Sequence, residues 1–191
     1  MALLVFLIGA IPFAQIIAEM HGDGDLRRYG NVGAGNLARV AGRQWGALAA
    51  SLDVLKALLP IAFMSSFGWL REMDILWLGA MAMAGHNYSP FLGWRAGKGA
   101  SVACALLFYL NGWVFIASLV VGGIVYRRTG YVPGAIAGIL LGYESVAWLD
   151  NLSPAVKLAP VVFGLVALLA VLPYVLRAPG KTLPPTPNLR G

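Results

Sequence analysis

The chain has 191 residues, 59% of them hydrophobic and 12% charged, with a formal net charge of +6. A soluble domain carries roughly a quarter charged residues, so this composition excludes an ordinary soluble fold and points to a bilayer. The basic residues sit between apolar runs and not along one amphipathic face, which reads as membrane topology and not nucleic-acid binding.

The first apolar run, Ala2 to Met20, contains Pro12, Gln15 and Glu19. No Lys or Arg precedes Arg27, so the run lacks the basic start of a signal peptide and is expected to be a retained first helix. A polar loop follows from His21 to Arg43. It holds Arg27, Arg28, Tyr29, Gly30, Asn31, Val32, Gly33, Ala34, Gly35 and Asn36 in succession, then Arg39. Its glycines permit unusual backbone angles, its asparagines offer amide donors and acceptors, and its arginines suit phosphate oxygens. By itself the same stretch equally suits a flexible loop with headgroup-facing arginines. His21 reads as a surface residue of this loop.

A second span is expected from Trp45 to Leu70 and a short third one from Ile75 to Gly85. Asp53 and Lys56 stand three apart on one face of the second span, which predicts an ion pair turned to the bundle interior. Residues 85–99 form a polar, glycine-punctuated insert between two apolar runs. Within it, Gly97-Lys98-Gly99 is expected to leave backbone N–H groups pointing at one oxyanion, with the Lys98 ammonium beside them. This is the arrangement expected to hold a phosphorylated small molecule at the membrane surface.

The uncharged run from Ala100 to Tyr126 reads as one helix of about 40 Å, at ~1.5 Å per residue, or as two short ones broken at Asn111-Gly112. Charge decides between them. With the break, only Arg71 and Lys157 lie opposite the remaining loop and tail cations, Lys56 being within a span. Without it the cations divide seven against six. The positive-inside rule therefore predicts seven spans, with the N-terminus outside and both glycine-bearing loops cytoplasmic. The last spans are Val132–Leu149 and Ala155–Leu176. Residues 1–176 are thus expected to be one all-α polytopic domain, and 177–191 a proline-rich cytoplasmic tail carrying Pro179, Pro184, Pro185 and Pro187. Glu19 and Glu144 leave their roles open. Cys104, the only cysteine, reads as a packing residue and leaves the redox compartment undetermined. Trp45, Trp69, Trp77 and Tyr126 fall near span ends, as interfacial aromatics do.

Several of these segments together resemble one family. Ile8-Gly9-Ala10-Ile11-Pro12-Phe13 is similar to the opening Gly-Ser-Ile-Pro-Phe of the bacterial acyl-phosphate:glycerol-3-phosphate acyltransferases of the PlsY type. Gly30 to Asn36 with Arg39 resembles the family's first motif, and Asp53-Val54-Leu55-Lys56 its Asp-x-x-Lys. Residues 85–99 resemble its second motif, Gly-His, aromatic, then Phe, aromatic, basic, Gly-Gly-Lys-Gly, which is the specific match. Arg28 and Tyr29 stand at the places of the first motif's Gly-Ser, Gly35 at its threonine, and Ala96 at one glycine of the second motif. The family's third motif has no recognisable counterpart in 177–191.

The resemblance implies a seven-helix enzyme of the bacterial inner membrane with its site facing the cytoplasm. It implies transfer of an acyl group from acyl phosphate to the sn-1 hydroxyl of glycerol 3-phosphate, giving lysophosphatidic acid. Candidate catalytic residues are His86, Lys98 and Arg39, and candidate substrate-binding residues are Asn31, Gly33, Asn36, Arg95, Gly97 and Gly99. No metal and no cofactor are expected, and the partners are the two substrates and the lipid bilayer. For His86 two roles stay open: accepting the acceptor's proton, or capping the third span and bonding the loop. Two other functions also stay open, an inactive paralogue that binds a phosphate ester or scaffolds lipid synthesis, and a small transporter with Asp53, Lys56 and Glu144 along its path. The absence of an obvious inverted repeat disfavours the transporter.

Overall fold

The computed structural model of the protein describes residues 1–175, which are helical with connecting loops and hold no strand. The helices are α1 (Ala2–Gly9), α2 (Phe13–Met20), α3 (Ala34–Val40), α4 (Arg43–Ser66), α5 (Glu72–Asn87), α6 (Ala100–Leu110), α7 (Gly112–Thr129), α8 (Val132–Leu149) and α9 (Pro154–Val175). Four stretches are long and apolar enough to cross a bilayer: Ala2–Met20, Arg43–Ser66, Val132–Leu149 and Pro154–Pro173. With α5, α6 and α7 between them, the order of elements fits about seven crossings. The tail from Arg177, with its prolines, its cations and the place of a third motif, lies outside the described residues.

The expected interruption of the fourth apolar run is present. Asn111 leaves helical geometry, and its side-chain carbonyl accepts a hydrogen bond from the Val114 N–H at 3.1 Å. One residue thus ends α6 and caps α7, because a short polar side chain replaces a missing backbone partner. A second interruption divides the first span, which the sequence reading had as one helix. Pro12 has no N–H to donate and leaves helical geometry (φ −92°, ψ +69°), so the Ala10 and Ile11 carbonyls lie between α1 and α2 without their helical i+4 partners. Side chains from α4 and from the loop after α5 reach them. Ser89 Oγ donates to the Ala10 carbonyl at 2.6 Å, and Lys56 Nζ donates to the Ile11 carbonyl at 2.5 Å. Broken helices survive in a membrane where protein supplies such partners.

α1 crosses α5 with backbones in contact. A Cβ on Gly9 would meet the Ala82 carbonyl, and one on Gly85 would meet the Phe6 carbonyl, so both positions need glycine for space. The central core gathers Ile61, Leu76, Met83, Leu106, Leu107, Tyr143 and Phe163, with the Tyr143 hydroxyl donating to the Leu107 carbonyl at 3.2 Å. A smaller core of Leu26, Val32, Leu37, Ala49 and Ala96 lies beneath the two glycine-rich loops. Leu3, Phe63, Trp113, Leu141 and Leu168 are exposed, as side chains facing lipid are. At the turn between α8 and α9, Trp148 Nε1 donates to Glu144 at 2.6 Å and Lys157 lies 4.6 Å from the Trp148 ring centroid. Glu144 thus belongs to an interfacial cluster and lines neither cavity described below.

Candidate active site

The two glycine-rich loops, some sixty residues apart in the chain, meet at one end of the bundle. The polypeptide after α5 turns through Pro90–Leu92, with Gly93 and Trp94 both left-handed at φ +66°, and returns as a strap over the end of its own helix. A left-handed tryptophan is strained, and strain of this kind concentrates at functional sites. The strap is fastened by the Ala96 N–H to the Asn87 carbonyl (3.1 Å) and the Gly97 N–H to the His86 carbonyl (3.2 Å). The first loop then bonds to the strap, the Val32 N–H donating to the Ala96 carbonyl at 3.0 Å.

A second tie closes the rim. Arg27 Nη1 donates to the Leu92 carbonyl at 3.0 Å while the same guanidinium pairs with Asp25 at 2.7 Å. Hydrogen bonding from Arg27 holds the Asp25 carboxyl below its ordinary pKa, against a smaller opposing effect of burial. Gln15 anchors the start of this loop, accepting from the Leu26 N–H at 3.0 Å and donating to the Gly24 carbonyl at 3.1 Å.

Between these ties lies a cavity of about 430 Å³, within the range of small-molecule sites. Its lining combines polar and basic residues, Arg27, Asn87, Tyr88 and Arg95, with apolar ones, Leu92, Trp94 and, from α9, Ala170 and Pro173. Burial raises the pKa of the Tyr88 phenol.

The structure distributes the sequence-predicted residues unevenly around this cavity. Arg95 and Gly97 line it. Lys98 and Gly99 follow directly in the chain, Lys98 exposed and Gly99 left-handed (φ +74°) at the start of α6. His86 is buried under the strap, and the place of a Gly97 Cβ is filled by its Nε2. Asn36 is also buried and ties the first loop to itself, donating to the Tyr29 carbonyl at 3.0 Å and the Asn31 carbonyl at 2.8 Å. Its side-chain oxygen accepts from Arg39 Nη2, and Arg39 Nε reaches the Gly35 carbonyl at 3.4 Å. Gly33 caps α3. Asn31, Gly33, Asn36 and Arg39 therefore build the first loop beside the cavity without lining it.

One expectation is corrected. The Gly97 N–H does not point at an oxyanion, because it donates to the His86 carbonyl. Gly97 is needed for space against the imidazole, and its φ lies in the ordinary range.

The expected ion pair of α4 is present and buried. Lys56 Nζ lies 2.6 Å from Asp53 Oδ1, as a close charge contact more than an aligned hydrogen bond. The sequence reading missed the third member: His86 Nδ1 lies 3.5 Å from the same oxygen. Only the Asp-x-x-Lys spacing and the histidine at the end of the next helix hinted at it. Among the described residues no cluster of His, Cys, Asp and Glu could hold a metal ion.

The comparisons with known proteins point the same way. A family model described as glycerol-3-phosphate acyltransferase matches residues 1–178. Glycerol-3-phosphate acyltransferase 1 of Deinococcus radiodurans is 35% identical over 142 residues, 73% of this chain and 71% of its own. The Leptospira borgpetersenii enzyme of strain JB197 is 32% identical over 165 residues, 77% of this chain and 75% of its own. Among solved structures, the integral membrane glycerol 3-phosphate acyltransferase PlsY in its glycerol 3-phosphate form superimposes with a TM-score of 0.78. It is 27% identical and the match covers 92% of this chain and 88% of that one. The lysophosphatidic acid form gives a TM-score of 0.76 at 26% identity. The chain belongs to the glycerol-3-phosphate acyltransferase family.

Proposed function

We propose that the protein transfers a fatty acyl group from acyl phosphate to the sn-1 hydroxyl of glycerol 3-phosphate at the cavity between the two glycine-rich loops, releasing phosphate and lysophosphatidic acid. The observation that carries this reading is a cavity lined both by cations, Arg27 and Arg95, and by apolar residues, among them Ala170 and Pro173. A donor with an acyl tail and a phosphate, and an acceptor with a second phosphate, both fit such a lining.

The reaction asks for placement more than for a covalent catalyst. An acyl phosphate is a mixed anhydride with a good leaving group, so no Ser or Cys ester is needed. The sn-1 oxygen forms a bond to the carbonyl carbon, the bond from that carbon to the phosphate oxygen breaks, and the hydroxyl proton leaves with the released phosphate. The protein holds two anions in line, excludes water and balances charge at the carbonyl oxygen. In this reading Arg95 and Lys98 hold phosphate oxygens, and the Gly97–Gly99 segment lets them approach. Arg39, Asn31, Gly33 and Asn36 shape the first loop that closes the cavity. For His86 the geometry favours the supporting role, since one ring nitrogen faces Asp53 and the other lies against Gly97.

The two matched PlsY structures, a glycerol 3-phosphate form and a lysophosphatidic acid form, support the acceptor and the product. The matching architecture disfavours the transporter and the inactive scaffold. Protein purified into lipid and incubated with acyl phosphate and glycerol 3-phosphate is expected to form lysophosphatidic acid, and far less from an acyl thioester. No product from folded protein would return the chain to the phosphate-ester-binding alternative.

We further propose that this site faces the cytoplasm across a bacterial inner membrane. The reading rests on the concentration of Arg and Lys in the loops at that end. Single cysteines at positions 33 and 91, with Cys104 replaced, are expected to resist a membrane-impermeant maleimide applied to intact cells. Cysteines at 71 and 152 are expected to react. Labelling of the first pair from outside reverses the orientation.

A further inference from the structure

The charges beneath the strap contribute no lining to the 430 Å³ cavity. A buried ion pair stabilises a fold no better than apolar residues of the same shape, so stability alone gives no reason for one here. The position of this pair suggests another role. Asp53, Lys56 and His86 are all buried, and they line a crevice of about 10 Å³ whose other walls include Pro12, Val32 and Ala96. The break of the first helix at Pro12, the first loop at Val32 and the strap at Ala96 all meet this crevice.

The connections are specific. Lys56 reaches the Ile11 carbonyl at the break before Pro12, which also accepts from the Phe13 N–H, and its ammonium lies 5.7 Å from the Phe13 ring centroid. His86 presents one nitrogen to Asp53 and lays the other against Gly97, whose N–H it also receives through its own carbonyl. Asp53 Oδ1 is the shared partner of both cationic or ionisable groups. We infer that Asp53 is a positioning residue for acyl transfer, setting the strap at Ala96–Gly97 through His86 and the break of the first helix through Lys56. The inference rests on the acyl-transfer reading of the cavity.

Placement decides which nucleophile meets the acyl phosphate. If the glycerol hydroxyl is in line, its oxygen takes the acyl carbon, phosphate departs with the proton, and lysophosphatidic acid forms. If the strap is displaced, water takes the same carbon and the products are a free fatty acid and phosphate. The ratio of the two products is independent of how much protein folds, so it separates positioning from a merely structural role.

The test compares wild type, Asp53→Asn and the double variant Asp53→Asn with Lys56→Gln, which leaves no buried charge without a partner if the single variant folds poorly. Each is reconstituted in lipid with acyl phosphate and glycerol 3-phosphate, and enzyme-free hydrolysis is subtracted. Both variants are expected to lower the ratio of lysophosphatidic acid to fatty acid by tenfold or more and to raise the KM for glycerol 3-phosphate. A wild-type ratio and KM in either variant, whatever its yield, overturns the inference and leaves the pair a structural one. A wild type that forms no lysophosphatidic acid overturns the acyl-transfer reading itself, an outcome distinct from equal ratios in an active set.

Discussion

Gly97→Ala is expected to lower kcat/KM for glycerol 3-phosphate by about five- to 150-fold while the protein still folds. The added methyl group would occupy the position of His86 Nε2. Neither partner has room to yield, because the Gly97 N–H is bonded to the His86 carbonyl and the imidazole backs onto Asp53. Overpacking of this kind costs roughly 1–3 kcal/mol. Borne by the strap as a displacement from its working position, that becomes about five- to 150-fold in rate. Gly35→Ala in the first loop is the matched control. No atom lies within 4 Å of its added Cβ and its φ is ordinary, so its kinetics are expected to stay near wild type. Steady-state kinetics in lipid, with thermal unfolding of each variant, check both. If Gly97→Ala behaves like Gly35→Ala, the contact between strap and imidazole does not govern the site.

Lys98→Ala is expected to raise the KM for glycerol 3-phosphate and to lower turnover. Lys98 directly follows Gly97, which lines the cavity, and precedes the left-handed Gly99 at the start of α6. A hydrogen bond between charged groups contributes roughly 1.5–3 kcal/mol, which amounts to about ten- to a hundredfold in kcat/KM. Lys98→Arg keeps the charge and is expected to recover part of the loss. Full efficiency in Lys98→Ala would move the anion contact to Arg95. That residue lines the cavity, whereas Arg39 is engaged with Asn36 and the Gly35 carbonyl.

Much of the architecture was legible in the sequence, for reasons that are local. Apolar runs mark membrane helices because the bilayer admits no unsatisfied backbone, and charge between the runs marks sidedness. The division at Asn111-Gly112 followed from charge placement and matches a cap that needs only Asn111 and Val114. The spacing of Asp53 and Lys56 predicted their pairing because three residues along a helix return to the same face. The break at Pro12 was not read, since a proline near the middle of an apolar run is compatible with a kink or an interruption. What permits the interruption here is Lys56 of α4 and Ser89 of the loop after α5.

The sequence by itself determined the class, the order of the apolar segments and the family, and it singled out the two glycine-rich loops. Each of these depends on residues near one another in the chain or on a motif contained within it. Only the tertiary structure decided that His86 completes the buried pair, that Val32 bonds to Ala96 so the loops share one cavity, and that α9 contributes to its apolar lining. It also decided why position 97 is glycine: the reason is an imidazole eleven residues earlier, brought back by the turn at Gly93 and Trp94. The physical reason is that hydropathy defines which segments are buried in lipid but not how each helix is rotated. The rotation is set by backbone contacts such as Gly9 on Ala82 and Gly85 on Phe6, and it determines which polar side chains face one another.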